Sequence, residues 1–134
     1  MTRSRCFLAV LALAATGCGG GDSHRTPAQV VRAWSAALNR GDEEAAAALF
    51  GSKVEIVAGD YQTVLRTRAE VLAFHREIVF CGPIVRLARE RDEIVALFSL
   101  ASRRNGRCDR GGREQASVAF RIRDGKIVFF DQIG

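Results

Sequence analysis

Apolar and polar positions along this chain change period several times, and each change predicts an element. An opening apolar run, "CFLAVLALAA" from Cys6 to Ala15, follows Arg3 and Arg5 and gives way to small residues and glycine. Val30, Val31, Trp34, Ala37 and Leu38 then recur at helical spacing. Before them Thr26 and Gln29 stand at capping-box spacing and Pro27 suits the first helical position; after them Asn39-Arg40-Gly41 supplies a helix end. Asp42 is placed to cap a second short helix, "EEAAAALF", whose acids sit in the first turn where the helix dipole favours them. "KVEIVAGDYQTVL" switches to period two about Gly59-Asp60 and predicts a β-hairpin. "TRAEVLAFHREI" returns to helix, with Thr67 and Glu70 again at capping-box spacing.

After Cys81-Gly82-Pro83 the pattern is that of strands. "IVRLARE" and "EIVALFSLAS" flank a polar Arg91-Asp92 turn, "RRNGRCDRGGR" reads as a long basic loop, and "EQASVAFRIR" and "KIVFFDQIG" form a hairpin across Asp124-Gly125. The predicted order is α-α-β-β-α-β-β-β-β, an α+β domain with one curved antiparallel sheet wrapped around its helices. The chain of 134 residues suits a single such domain, at 26–134.

The opening segment has the parts of a secretory signal: a basic start, an apolar stretch and a small-residue junction. Its ten apolar residues are half of the roughly 20 that a bilayer span needs. Ala15-Thr16-Gly17-Cys18 resembles the bacterial lipobox, with Ala15 where leucine is usual. The expectation is a lipoprotein signal peptide at 1–17, a lipidated Cys18 carrying palmitate-type chains, and a flexible glycine-rich tether at 18–25. Two or more acyl chains would hold the domain stably on the outer face of the cell membrane.

Formal net charge is +5, and without residues 1–17 there remain 18 basic against 15 acidic residues. Arginine and lysine form no run interleaved with aromatics, so no nucleic-acid partner is expected. Arginine outnumbers lysine 18 to 2, a bias resembling that of a high-GC bacterium such as an actinobacterium. Once Cys6 is cleaved away and Cys18 acylated, Cys81 and Cys108 are the only thiols left. They flank the first hairpin of the four-strand meander, and an antiparallel hairpin returns the chain to its starting end. A structural disulfide pinning the 103–113 loop is therefore expected in an oxidising compartment. A metal pair or redox couple would want close CxxC spacing and nearby ligands, so no metal and no cofactor are expected.

"VVRAWSAALNRGDEEAAAALF", followed by hairpin, helix and a meander ending in "FRIRDGKIVFFDQ", resembles the nuclear transport factor 2-like superfamily, which includes ketosteroid isomerases and SnoaL-type cyclases. The resemblance implies a cone with an apolar pocket between the sheet and the helices. It also places Trp34 where the isomerases have an oxyanion-donating tyrosine, Val57 near their general-base aspartate, and Val118 at their second aspartate. Isomerase chemistry needs those carboxylates. What remains open is a tethered, non-catalytic domain binding a small apolar molecule or a partner protein, or else a small hydrolase, isomerase or cyclase using His75 and Asp131. Trp34, Tyr61, Phe74, Phe98, Val118, Phe120 and Phe129 are the expected pocket wall; oligomeric state is left open.

If Cys18 carries the anchor, metabolic labelling with palmitate should mark the wild type and leave Cys18→Ser blank. The variant should then leave the membrane fraction or accumulate as precursor.

Overall fold

Each helix begins on the cap its sequence predicts. In the computed structural model, which describes residues 24–78, 80–105 and 107–134, Thr26 Oγ1 accepts from the Gln29 N–H at 3.2 Å and the Gln29 side chain accepts from the Thr26 N–H at 2.8 Å. That closed box starts α1 (Pro27–Asn39). Asp42 accepts from the Ala45 N–H at 3.0 Å and starts α2 (Glu43–Ala48). The expected leader at 1–17, Cys18 and the glycines that follow it lie outside the described residues. No helix among the described residues is long and apolar enough to cross a membrane.

β1 (Phe50–Ala58) and β2 (Tyr61–Leu65) form the first hairpin, and strand geometry begins at Phe50, earlier than the expected Lys53. Thr67 and Glu70 close a second capping box to start α3 (Arg68–Glu77). The meander follows as β3 (Ile84–Glu90) and β4 (Glu93–Ser99), then a short hairpin of β5 (Arg103–Arg104) and β6 (Arg107–Cys108) inside the segment expected to be plain loop. β7 (Gln115–Arg123) and β8 (Lys126–Ile133) complete it, joined across Asp124 and Gly125, whose φ angles of 50° and 73° are the two positive values a type I′ turn demands.

The large sheet runs β2-β1-β8-β7-β4-β3. One expectation fails here: β1 and β8 pair in parallel, so the sheet is not wholly antiparallel. The reason is topological. The first hairpin is carried across the helices by α3 and joins the end of the meander instead of its beginning. α1 lies over β4, β7 and β8, and α2 packs between α1 and α3. Between helices and sheet sits one buried cluster that includes Trp34, Val54, Ile56, Phe98, Val118, Phe120 and Phe130.

At the far end of α1 a clamp fixes the start of the meander. Asn39 donates to the Gly82 carbonyl at 3.0 Å and accepts from the Gly82 N–H at 2.9 Å. Gly82 has φ 142°, and a Cβ there would fall 1.9 Å from the Ser99 carbonyl oxygen, so only glycine fits. Beside it Cys81 and Cys108 are joined in a disulfide, their Cα atoms 5.8 Å apart. The pairing is the one the hairpin geometry predicts.

The bridge closes 27 residues of sequence separation, for which the chain-entropy argument gives about 3–4 kcal/mol. Cys108→Ser, or reduction of the wild type, should lower the melting temperature by on the order of 10–20 °C for a domain of this size. Calorimetry with and without reductant checks this; an unchanged midpoint would mean that the loop is held without the bridge.

Candidate functional site

Aromatic rings fill the space where the cone would enclose a ligand. Trp34, on the sheet-facing side of α1, is wholly buried. Its ring meets Phe120, Phe130 and Phe98 edge-on at centroid distances of 5.3, 5.7 and 6.3 Å. A buried indole N–H needs an acceptor, and His75 Nε2 provides one at 2.9 Å. The other ring nitrogen of His75, Nδ1, lies 2.8 Å from the Val71 carbonyl oxygen one turn back along α3. Carbonyls only accept, so Nδ1 carries the proton and Nε2 is the bare nitrogen: the neutral imidazole is specified from both sides. Phe50 and Phe74 pack on the same ring, at 4.7 and 5.4 Å between centroids. Burial pushes the His75 pKa below its ordinary value of 6.5, the Val71 carbonyl and the Glu43 charge opposing only in part.

Asp131 does not join this histidine. Strict alternation from the buried Ile127 would turn Phe129 and Asp131 inward. Between β7 and β8, however, Ile122 pairs with Ile127 and Arg121 with Phe129, one step against two. Val128 is the extra residue of a β-bulge, and a bulge reverses the phase of everything after it. Phe130 therefore turns into the core. Phe129 lies on the other face, under the Arg121 guanidinium at 4.6 Å, and Asp131 lies there too, between Ala119 and Val57 of the neighbouring strands. The base-and-orienter pair considered from sequence is thus separated by the sheet, and both ring nitrogens of its proposed base are occupied.

The other expected positions divide three ways. Trp34, Phe98, Val118 and Phe120 are buried in the core cluster. Val57 faces outward; at that level of β1 the inward residue is Ile56. The three positions that the sequence resemblance set against the isomerases' tyrosine and aspartates, Trp34, Val57 and Val118, hold a committed indole donor and two aliphatic side chains, none of which accepts a proton. Only Tyr61 and Phe74 border open space. With Ile56, Ile78, Phe80 and Phe130 they line a groove of about 340 Å³ at the mouth of the cone, edged by Glu77 and Gln132. Tyr61 stands 59% exposed at its lip.

No family model matches the sequence, and no curated protein matches it. Solved structures do resemble it in fold. An NTF2-like protein of unknown function from Cytophaga hutchinsonii superimposes with a TM-score of 0.63 at 14% identity, over 81% of this chain and 88% of that one. A putative polyketide cyclase from Sinorhizobium meliloti gives 0.61 at 15%, over 83% and 98%. A putative ketosteroid isomerase from Kribbella flavida gives 0.58 at 20%, over 77% and 73%. The fold of this chain is the NTF2-like fold, as the resemblance in its sequence implied.

The buried histidine makes stability depend on pH in a narrow window. The unfolded chain protonates His75 near pH 6.5, whereas the folded chain holds it neutral to lower pH, so unfolding takes up a proton and stability falls as pH drops below about 6.5. Glu70, held down by the backbone N–H groups of Arg66 and Thr67, and Asp92, held down by Arg123, titrate below the usual carboxylate range and act only at lower pH. The urea midpoint should therefore decline between pH 7 and pH 5, and His75→Gln, which keeps an acceptor for Trp34 but no titrating ring, should flatten that decline.

Proposed function

We propose that this protein is an exported lipoprotein, anchored through Cys18, whose NTF2-like domain binds a small apolar ligand at the mouth of the cone without transforming it. The observation that carries the reading is the contrast between a filled interior and an apolar groove at the mouth. Trp34, His75 and three phenylalanines occupy the depth of the cone, and Ile56, Tyr61, Phe74, Ile78, Phe80 and Phe130 offer apolar surface at its opening. A volume near 340 Å³, apolar walls and a few polar groups at the edge are the features of small-molecule sites. The sole buried titratable side chain near the groove, among the described residues, is His75, and its hydrogen-bonding capacity is spent on Trp34 and Val71. A neighbouring structure of ketosteroid-isomerase-like fold, from Catenulispora acidiphila, is a complex with trimethylamine, which supports small-molecule binding by this architecture.

Nile red, an uncharged apolar dye, tests the groove directly. The protein should bind it saturably at one site with a rise in dye fluorescence. Tyr61→Ala and Phe80→Ser should each weaken binding by about tenfold, the worth of part of one large apolar side chain. Dye binding that ignores both substitutions would remove the groove as the site.

A further inference from the structure

Phe80 lines two concavities at once. One is the apolar groove; the other, of about 740 Å³, lies under the basic loop, with Leu100 and Ala101 in its floor. Arg103, Arg110 and Arg113 line this second concavity together with Asp109 and Glu114. Two of those charges are already committed: Arg103 donates to the Leu38 carbonyl, and Asp109 pairs with Arg104 at 3.3 Å. Arg110 and Arg113 make no hydrogen bond or ion pair among the described residues, and Glu114 is the other acidic residue of the lining.

The loop that carries these arginines is fastened along its length. The disulfide holds Cys108 to Cys81, and the Asp109 N–H donates to the Ser102 carbonyl at 2.9 Å. Farther along, the Ser99 hydroxyl donates to the Gly112 carbonyl at 2.8 Å, the Gly112 N–H to the Leu100 carbonyl at 2.7 Å, and the Leu100 N–H to the Glu114 carbonyl at 2.8 Å. The backbone that carries Arg110 and Arg113 is therefore held at the concavity that Phe80 also lines, and a loop organised in advance loses less entropy on binding. A guanidinium is a planar fork of donors matched to carboxylate and phosphate oxygens. The combination is an apolar slot that runs, through Phe80, into a pair of uncommitted forks.

We infer that the ligand is a free amphiphilic anion, its apolar chain in the groove and across Phe80 and its carboxylate or phosphate on Arg110 and Arg113. This rests on the reading of the groove as the apolar-ligand site and adds the chemical class. An apolar cation would instead set its charge by Glu77 on the groove edge, away from the arginines.

The test uses the full chain with Cys18→Ser, so that no acyl anchor intervenes, and isothermal titration with dodecanoate, dodecanol and dodecyltrimethylammonium, each below its micelle concentration. Dodecanoate should bind about tenfold more tightly than dodecanol, and only its affinity should fall as salt is raised. The double variant Arg110→Gln/Arg113→Gln should erase the dodecanoate advantage, leave dodecanol within about twofold, and keep the wild-type melting temperature. Equal binding of acid and alcohol, or a preference that survives the double variant, would overturn the arginine assignment and leave the groove standing. Tightest binding of the ammonium would shift recognition to Glu77 and overturn the inference likewise. If none of the three binds, the groove reading itself fails. A vesicle arm separates the sources of the anion: phosphatidylglycerol vesicles that retain the protein, when monomeric dodecanoate does not bind, would make a bilayer surface the partner and overturn the free amphiphile.

Discussion

Trp34 and His75 satisfy each other in a place where neither could stay alone. An indole N–H without an acceptor and an imidazole without fixed partners are both expensive to bury, and a charged imidazole more so. Joined at 2.9 Å, they turn two polar atoms into a bond between α1 and α3 in the middle of an otherwise apolar interior. The geometry of the bond sets much else. It holds the indole across the cone, where Phe98, Phe120 and Phe130 can meet it edge-on. It also sets Trp34 and His75, with the rings around them, in the interior between helices and sheet. One donor–acceptor pair thus joins two helices across an otherwise apolar interior.

The start of the meander is held by fastening. The Asn39–Gly82 clamp ties the end of α1 to the start of the meander, the disulfide ties the same point to the basic loop, and Arg103 reaches back to the Leu38 carbonyl. Three separate stretches of chain meet there: the end of α1, the start of the meander and the basic loop. Directional bonds and one covalent link hold them together. The close of the first helix thus bonds both to Gly82, through Asn39, and to Arg103 of the basic loop, through the Leu38 carbonyl.

Local signals were legible in the sequence wherever local physics decides the outcome. Thr26–Gln29 and Thr67–Glu70 close the boxes their spacing predicts, Asp124-Gly125 makes its turn, and Cys81 and Cys108 meet because a hairpin must bring them back together. The parallel join of β1 to β8 carries no such signature, since both strands read alike whichever neighbour they take. The site was less legible for a specific reason. A single unpaired residue, Val128, shifts the phase of "VFFD", so the phenylalanine expected in the pocket wall is Phe129 while the one that reaches it is Phe130. The same shift carries Asp131 away from His75. Alternation predicts faces only as long as the ladder stays in step, and "KIVFFDQI" has apolar side chains on both sides of the slip, leaving no pattern to betray it.

The parallel pairing also decides what joins the two halves of the sheet. β8 lies between β1 and β7, so the final eight-residue strand of the chain stands in the interior of the sheet and joins its two halves. Without those residues, β2-β1 and the β3-β4-β7 meander are separate pieces with unpaired edges toward each other. The contacts that unite them span most of the chain, the kind whose loop-closure entropy must be met before any packing rewards it. A chain lacking its last few residues would lose the seam of the structure instead of fraying at one end.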